Sequence, residues 1–338
     1  MPSGTGTSTL RFIRCTVQEE SYGLDMAWVR SIQRADQLKR NVGEEGCVGW
    51  LPSREENIPV YDLASRLGRV SGPLNMQGRI VILNPLTTHS KSPSSHPWAL
   101  LVDRVSQVAQ IPLSGLTPLP MIAAHSLSRY FRGVIQMGEE IVPFLAPEQL
   151  HPDAPPYVEP VVRQPIPAVN HLKGGTSSPA SSTKRLHHEK QILLFTTTES
   201  APDERALAFA LSITQVPEIL NMMPITHVPG APSFVLGLAN WRNRPIPVID
   251  LNARLGLPPS SLPLNAHMRL LIVRSPNESG TDVFAGLVIQ PKVRAVRLPM
   301  ASQPCRSTLP IESRLLSGIV NLEKETVAIP DLAHVLSF

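Results

Sequence analysis

The chain is 338 residues long and carries a formal net charge of +4. A single hydrophobic core stops growing at about 250–300 residues, so two domains are expected. Thirty-five prolines, twice the usual ~5 %, exclude a fold built on long helices. No dense Lys/Arg run and no basic stripe interleaved with aromatics occurs, which argues against nucleic acid as a partner.

Taken in chain order, the first nine residues are small and polar, without the apolar stretch of a signal peptide. No run of ~18 apolar residues follows anywhere, so no direct insertion into a membrane is expected. Cys15, Cys47 and Cys305 are far apart and odd in number, the usage of a reducing, cytoplasmic compartment.

From residue 22 onward the chain repeats itself. Residues 58–68 read IPVYDLASRLG and residues 246–256 read IPVIDLNARLG, identical at eight of eleven positions. Their separation of 188 residues is far beyond any solenoid period and points to a duplicated domain. Other segments repeat in the same order: 22–32 with 209–219, Val48-Gly49 with Leu236-Gly237, 79–83 with 269–273, 99–102 with 285–288, and 133–135 with 318–320. Between the copies, 151–189 holds seven prolines, Gly174-Gly175 and a Ser/Thr cluster, a composition that cannot bury enough apolar surface to order itself. The expected division is a first domain at 9–150, a flexible Pro/Ser-rich linker at 151–187 and a second domain at 188–338.

Within each copy the pattern is mainly β. RIVIL (79–83) and RLLIV (269–273) are short, β-branched and bounded by turn residues, as strands are. Residues 98–112 and 284–299 read as strand, bend, strand, with Val105, Val108, Ile111, Val293, Val296 and Leu298 as barrel core or as a face toward a partner. IPVxDL reads as a strand entering a short helix. Asp62 and Asp250 stand where an N-cap accepts free backbone N–H groups, and Gly68 and Gly256 where a helix end needs positive φ. Many short strands with little helix suggest small β-barrels.

The ordered set of a YGL strand start, a VxG turn, IPVxDLxxRLG, RIVIL, LLVDRV, FRGVI and a closing LAPEQL or IPDLAHVL resembles the CheW-like domain, twice over and across nearly all of both halves. The resemblance implies two small five-stranded β-barrels per domain with few short helices. It also implies a non-enzymatic scaffold in bacterial chemotaxis-type signal transduction, without a cofactor. The implied partners are a chemoreceptor cytoplasmic tip, the regulatory domain of a CheA-type histidine kinase and other CheW-like domains. The implied place is the cytoplasm, with recruitment to membrane receptor arrays. An alternative is a CheW-fold interaction protein in another motility or signalling assembly without receptor binding.

The family's receptor-binding turn precedes IPVxDL. In copy two it falls on Asn240, Trp241, Arg242 and Asn243, with Asn243 in the place of a glycine and still able to take positive φ. In copy one Arg54 aligns but its surroundings differ, while LLVDRV with Asp103 is intact there and replaced in copy two. The candidate protein-interaction residues are therefore Asn240, Trp241, Arg242, Arg54 and Asp103. Asp103 also reads as a turn or barrel contact. No GxSxG elbow, phosphate-binding loop, HExxH or Cys/His cluster occurs, so no catalytic, cofactor or metal residue is expected.

Overall fold

The computed structural model describes residues 8–40, 47–53, 57–69, 73–84, 96–120, 128–151, 190–198, 207–260, 264, 267–277, 280–298, 311–322 and 325–337. Of the linker expected at 151–187, residues 152–187 lie outside the described residues, as does Arg54. Copy one contains strands β1 (Thr9–Val17), β2 (Glu20–Asp25), β3 (Val29–Arg34), β4 (Cys47–Leu51), β5 (Ile58–Asp62), β6 (Arg79–Leu83), β7 (Trp98–Val102), β8 (Arg104–Val105), β9 (Ala109–Pro112), β10 (Leu116–Thr117), β11 (Phe131–Met137) and β12 (Glu140–Leu145). Its two α-helices are α1 (Leu63–Arg66) and α2 (Pro147–Leu150). Copy two contains β13 (Lys190–Phe195), β14 (Ala208–Ser212), β15 (Glu218–Asn221), β16 (Val235–Trp241), β17 (Arg244–Ile249), β18 (Arg269–Pro276), β19 (Asp282–Ile289), β20 (Val293–Leu298), β21 (Leu316–Leu322) and β22 (Glu325–Pro330). Its helices are α3 (Leu251–Arg254) and α4 (Leu332–Val335).

Among the described residues the strands form four sheets, two per copy. One sheet of each copy runs β3-β6-β7-β5-β4 or β15-β18-β19-β17-β16, so the order is the same in both. The other runs β20-β13-β14-β22-β21 in copy two and β10-β11-β12-β2-β1-β8, with β9 also on β1, in copy one. The larger strand number there has a simple origin. The strand that is continuous as β20 on β13 is broken into β8 and β9 on β1, and β10 adds to β11. Val108, at the break, is 48 % exposed, so it is not the core residue that its apolar character suggested. Val105 and Ile111 are half-buried.

Strand register also corrects the alignment of the two copies. Val60 pairs with Ala99, and its equivalent Val248 pairs with Gly286. The equivalent of Asp103 is therefore Gln290, and the 99–102/285–288 alignment is one residue out. The backbone agrees: Asp103 N donates to Thr16 O and Gln290 N to Thr196 O. Apolar residues run continuously through both segments, so composition left the slip unpenalised, whereas pairing fixes which face each side chain takes.

The repeated motif has a physical reading at each conserved letter. Asp62 accepts from Ser65 N and Asp250 from Ala253 N, so both cap the short helices. Gly68 and Gly256 end them at φ 72° and 76°. Gly49 and Gly237 allow β4 and β16 to pass under the preceding segment, since a Cβ would stand 2.4 Å from Lys39 O or Thr226 O. The motif arginine ties each copy shut. Arg66 donates to Leu150 O through Nε and Nη2, and Arg254 to Val335, His334 and Ser337 carbonyls at the end of α4. Those carbonyls have no partner within so short a helix.

Each copy has one apolar cluster inside each sheet and a larger one between its two sheets. The clusters between sheets are built on Tyr22, Leu63, Trp98 and Leu145 in copy one and on Phe209, Leu251, Leu287 and Leu332 in copy two. The cluster of copy two also contains Val134 and Ile141 from the β11–β12 hairpin of copy one, 1 % and 3 % exposed. Polar contacts frame this junction. Thr226 Oγ1 donates to Ile141 O at 3.0 Å, and Arg69 donates to His227 Nδ1 at 3.0 Å.

Candidate functional site

The β16–β17 connection is a two-residue hairpin loop. Trp241 pairs with Arg244, and Arg242 and Asn243 between them have φ of 49° and 61°. Positive φ at both central positions is the type I′ turn, whose twist suits a hairpin. Asn243 thus meets the backbone demand that a glycine would meet elsewhere. Arg242 takes the same left-handed region at a cost of about 1–2 kcal/mol, so something must hold it there.

Glu218, on β15, does so. Its Oε2 accepts from Trp241 Nε1 at 2.9 Å and pairs with Arg242 Nη2 at 3.1 Å. The Arg242 guanidinium also lies over the Trp241 ring, 5.1 Å from its centroid. Trp241 is itself core: it is 6 % exposed and packs on Phe284 with centroids 5.0 Å apart. β15 and β16 are the two ends of their sheet, so this clasp closes it where strand pairing does not. The outcome is an arginine with 68 % of its side chain exposed, fixed on a rigid aromatic floor. A preordered arginine on an aromatic base is what protein interfaces use as an anchor.

Asn240 faces the other way. Its Nδ2 donates to Gly138 O at 3.0 Å, in the β11–β12 turn of copy one, while Gln136 Nε2 donates to Asn243 Oδ1 at 3.4 Å. The predicted residues Asn240, Trp241 and Arg242 are thus brought together on one hairpin but have three settings: contact between the copies, core and exposed tip. Glu218 organises all of this and was missed by sequence reasoning, because an isolated acid on a strand carries no motif. At the equivalent positions copy one has Ser31 for Glu218 and Ser53 for Trp241, so the clasp cannot form there.

Asp103 lies apart from this hairpin. Its carboxylate accepts from Gln18 N at 2.8 Å and Asn75 Nδ2 at 3.0 Å. Gln18 and Glu19 have φ of 49° and 71°, so Asp103 steadies another two-residue turn. It borders a groove of about 100 Å³ with Val17, Asp62, Leu74 and Asn75, far smaller than the ~300–1,000 Å³ of small-molecule sites.

Burial pushes the Cys15 thiol up to about 12, which keeps it protonated and unreactive. No group of three or more His, Cys, Asp or Glu side chains suited to a metal occurs among the described residues. No helix among them is long and apolar enough to cross a membrane.

Comparison with known proteins matches this picture. The model of the CheW-like domain matches residues 11–154 and again 191–338. A chemotaxis protein CheW of Helicobacter pylori is 30 % identical over 129 residues, covering 38 % of this chain and 74 % of that protein. A probable chemotaxis protein CheW of Rhizobium etli is 30 % identical over 122 residues, covering 34 % and 77 %. Protein PilI of Pseudomonas aeruginosa is 37 % identical over 81 residues, covering 24 % and 42 %. The crystal structure of the scaffolding protein TtCheW from Thermoanaerobacter tengcongensis covers 47 % of this chain and 95 % of its own, with 23 % identity and a TM-score of 0.37. With both halves matched, the chain belongs to the CheW-like domain family, as two tandem copies of that domain.

Proposed function

We propose that the chain is a non-enzymatic adaptor of chemotaxis-type signalling that couples a chemoreceptor cytoplasmic tip to the regulatory domain of a CheA-type histidine kinase. Relatives named chemotaxis proteins CheW support the adaptor role. The observation that carries the receptor assignment is the Glu218–Trp241–Arg242 clasp, which presents Arg242 on a rigid hairpin of copy two. Asp103 and Arg54 are read as the candidate protein-interaction residues of copy one. The adaptor works in the cytoplasm and reaches receptor arrays through its partners.

The test is binding of the full chain to a receptor cytoplasmic hairpin and to a CheA regulatory domain from the source organism. Arg242→Glu should weaken receptor binding by about 30-fold or more, the size of an interface hot spot. The same change also breaks the ion pair to Glu218, so the thermal midpoint should fall only slightly, an exposed pair being worth about 0–1 kcal/mol. Unchanged binding would refute the anchor, and a collapse of stability would make Arg242 structural. A second reading keeps the fold but drops the receptor: an interaction protein of another motility or signalling assembly. The missing clasp in copy one favours it, and it would follow if neither probe bound the folded chain.

A further inference from the structure

The two copies use unlike surfaces at their junction. Copy one offers the β11–β12 hairpin; copy two offers the segment at Thr226 and the inner side of β16. The repeat supplies an internal control, because each of these surfaces has an equivalent in the other copy that the junction does not use. Val134 and Ile141 are buried, whereas their equivalents Ile319 and Thr326 are half-buried. Leu238 is fully buried, whereas its equivalent Trp50 is half-buried. Lys39 and Thr226 make the same bridge to the neighbouring strand, yet a charged side chain stands at the first and a hydroxyl that donates to Ile141 O at the second. At the places where the copies meet, the residues differ from their equivalents in the other copy.

We propose that the inner side of the copy-two hairpin is a docking site for copy one of the same chain, so that the domains act as one unit held by this contact and not by the linker alone. The occupant is the β11–β12 hairpin. It supplies two apolar side chains to the copy-two cluster, two backbone carbonyls to Thr226 and Asn240, and an amide to Asn243. The Asn240 side is therefore closed to outside partners, whereas Arg242, on the outer rim, stays free.

The experiment uses the full chain with a protease site placed at Gly174-Gly175. After cleavage the two halves should co-elute in gel filtration. Two substitutions, Thr226→Lys and Ile141→Thr, exchange a junction residue for the one that the other copy carries at the same place, Lys39 or Thr326, so the fold has precedent for both. Combined, they should weaken association of the cleaved halves by about 100-fold or more, since a desolvated charge and lost apolar burial add, with the circular dichroism of the uncleaved chain unchanged. Arg242→Glu should leave association unaltered. Separation of the unsubstituted halves would overturn the proposal. So would co-elution of the doubly substituted halves at every concentration, or their separation on Arg242→Glu alone.

Discussion

Arg254→Met isolates what the repeated arginine contributes. The substitution keeps the aliphatic stem and most of the packing over Phe234, but removes a guanidinium 4.8 Å from that ring and its bonds to Val335, His334 and Ser337 carbonyls. A hydrogen bond from a charged group is worth about 1.5–3 kcal/mol when well buried. Here three share one group and two lie near solvent, so about 2–3 kcal/mol for the whole clasp is the working figure. Burial lowers the Arg254 pKa, with Arg314 lowering it and Glu312 raising it, which marks a cation that is desolvated for the sake of its partners. The assay is native-state hydrogen exchange of the last segment, where Val335 N and Leu336 N are held by α4. Exchange there should accelerate about 30-fold or more, with copy one untouched. A change below threefold would mean that α4 is seated by Leu332 and Val335 alone, and the reading of the motif arginine would fail.

Three further outcomes are expected. Asp250→Ala should cost about 2–4 kcal/mol, because Asp250 accepts from Ala253 N, Ser260 N and Ser260 Oγ at 2 % exposure; a loss under about 1 kcal/mol in denaturant unfolding would count against this. Glu218→Gln keeps a hydrogen bond for Trp241 but loses the ion pair, so it should free Arg242 while leaving Trp241 fluorescence near its original maximum, whereas Glu218→Ala should shift it. Docking of the copies should weaken as pH falls below ~6.5. Burial holds the His227 pKa below its ordinary value, Glu20 raises it and Arg69 lowers it, and Tyr22 O–H donates to Glu20 beside them. Docked His227 therefore resists a proton that the undocked side chain takes up, so its contribution is intact above that range and is lost below it. His227→Gln should flatten the pH profile of association of the cleaved halves.

Most of the fold was legible because its signals are local. N-cap aspartates, glycines of positive φ and β-branched runs act over a few residues, and here each did so twice. The duplicated IPVxDLxxRLG turned a pattern into a testable equivalence, which strand pairing supports from 58 to 61 and the capped helix supports after it. What stayed hidden is nonlocal. Glu218 meets Trp241 across a gap of 23 residues, and Ile141 meets Thr226 across 85, with no periodicity to announce either. The one-residue slip at 99–102 had the same cause. In a run that is buried throughout, apolar composition does not discriminate register, and only the partner strand does.

The division of labour on the hairpin bears on how a tandem adaptor differs from two linked single domains. Two independent copies on a ~39-residue linker would present two partner sites with flexible spacing, and avidity would follow from their effective concentration. A docked pair gives up one of those sites. Copy two loses the Asn240 side to copy one, and copy one lacks the glutamate and tryptophan that would hold its own arginine in place. What remains is one preordered anchor, Arg242, at a fixed distance from the copy-one surface around Asp103. The entropy of bringing those two regions into register is then spent at folding, before a partner arrives. On this argument an outside partner should saturate the chain at one equivalent per molecule, and loosening the junction should lower its affinity without touching the anchor. Titration of a receptor cytoplasmic hairpin into the full chain, with and without Thr226→Lys, separates the cases: two equivalents, or an affinity indifferent to the junction, would show that the copies work independently.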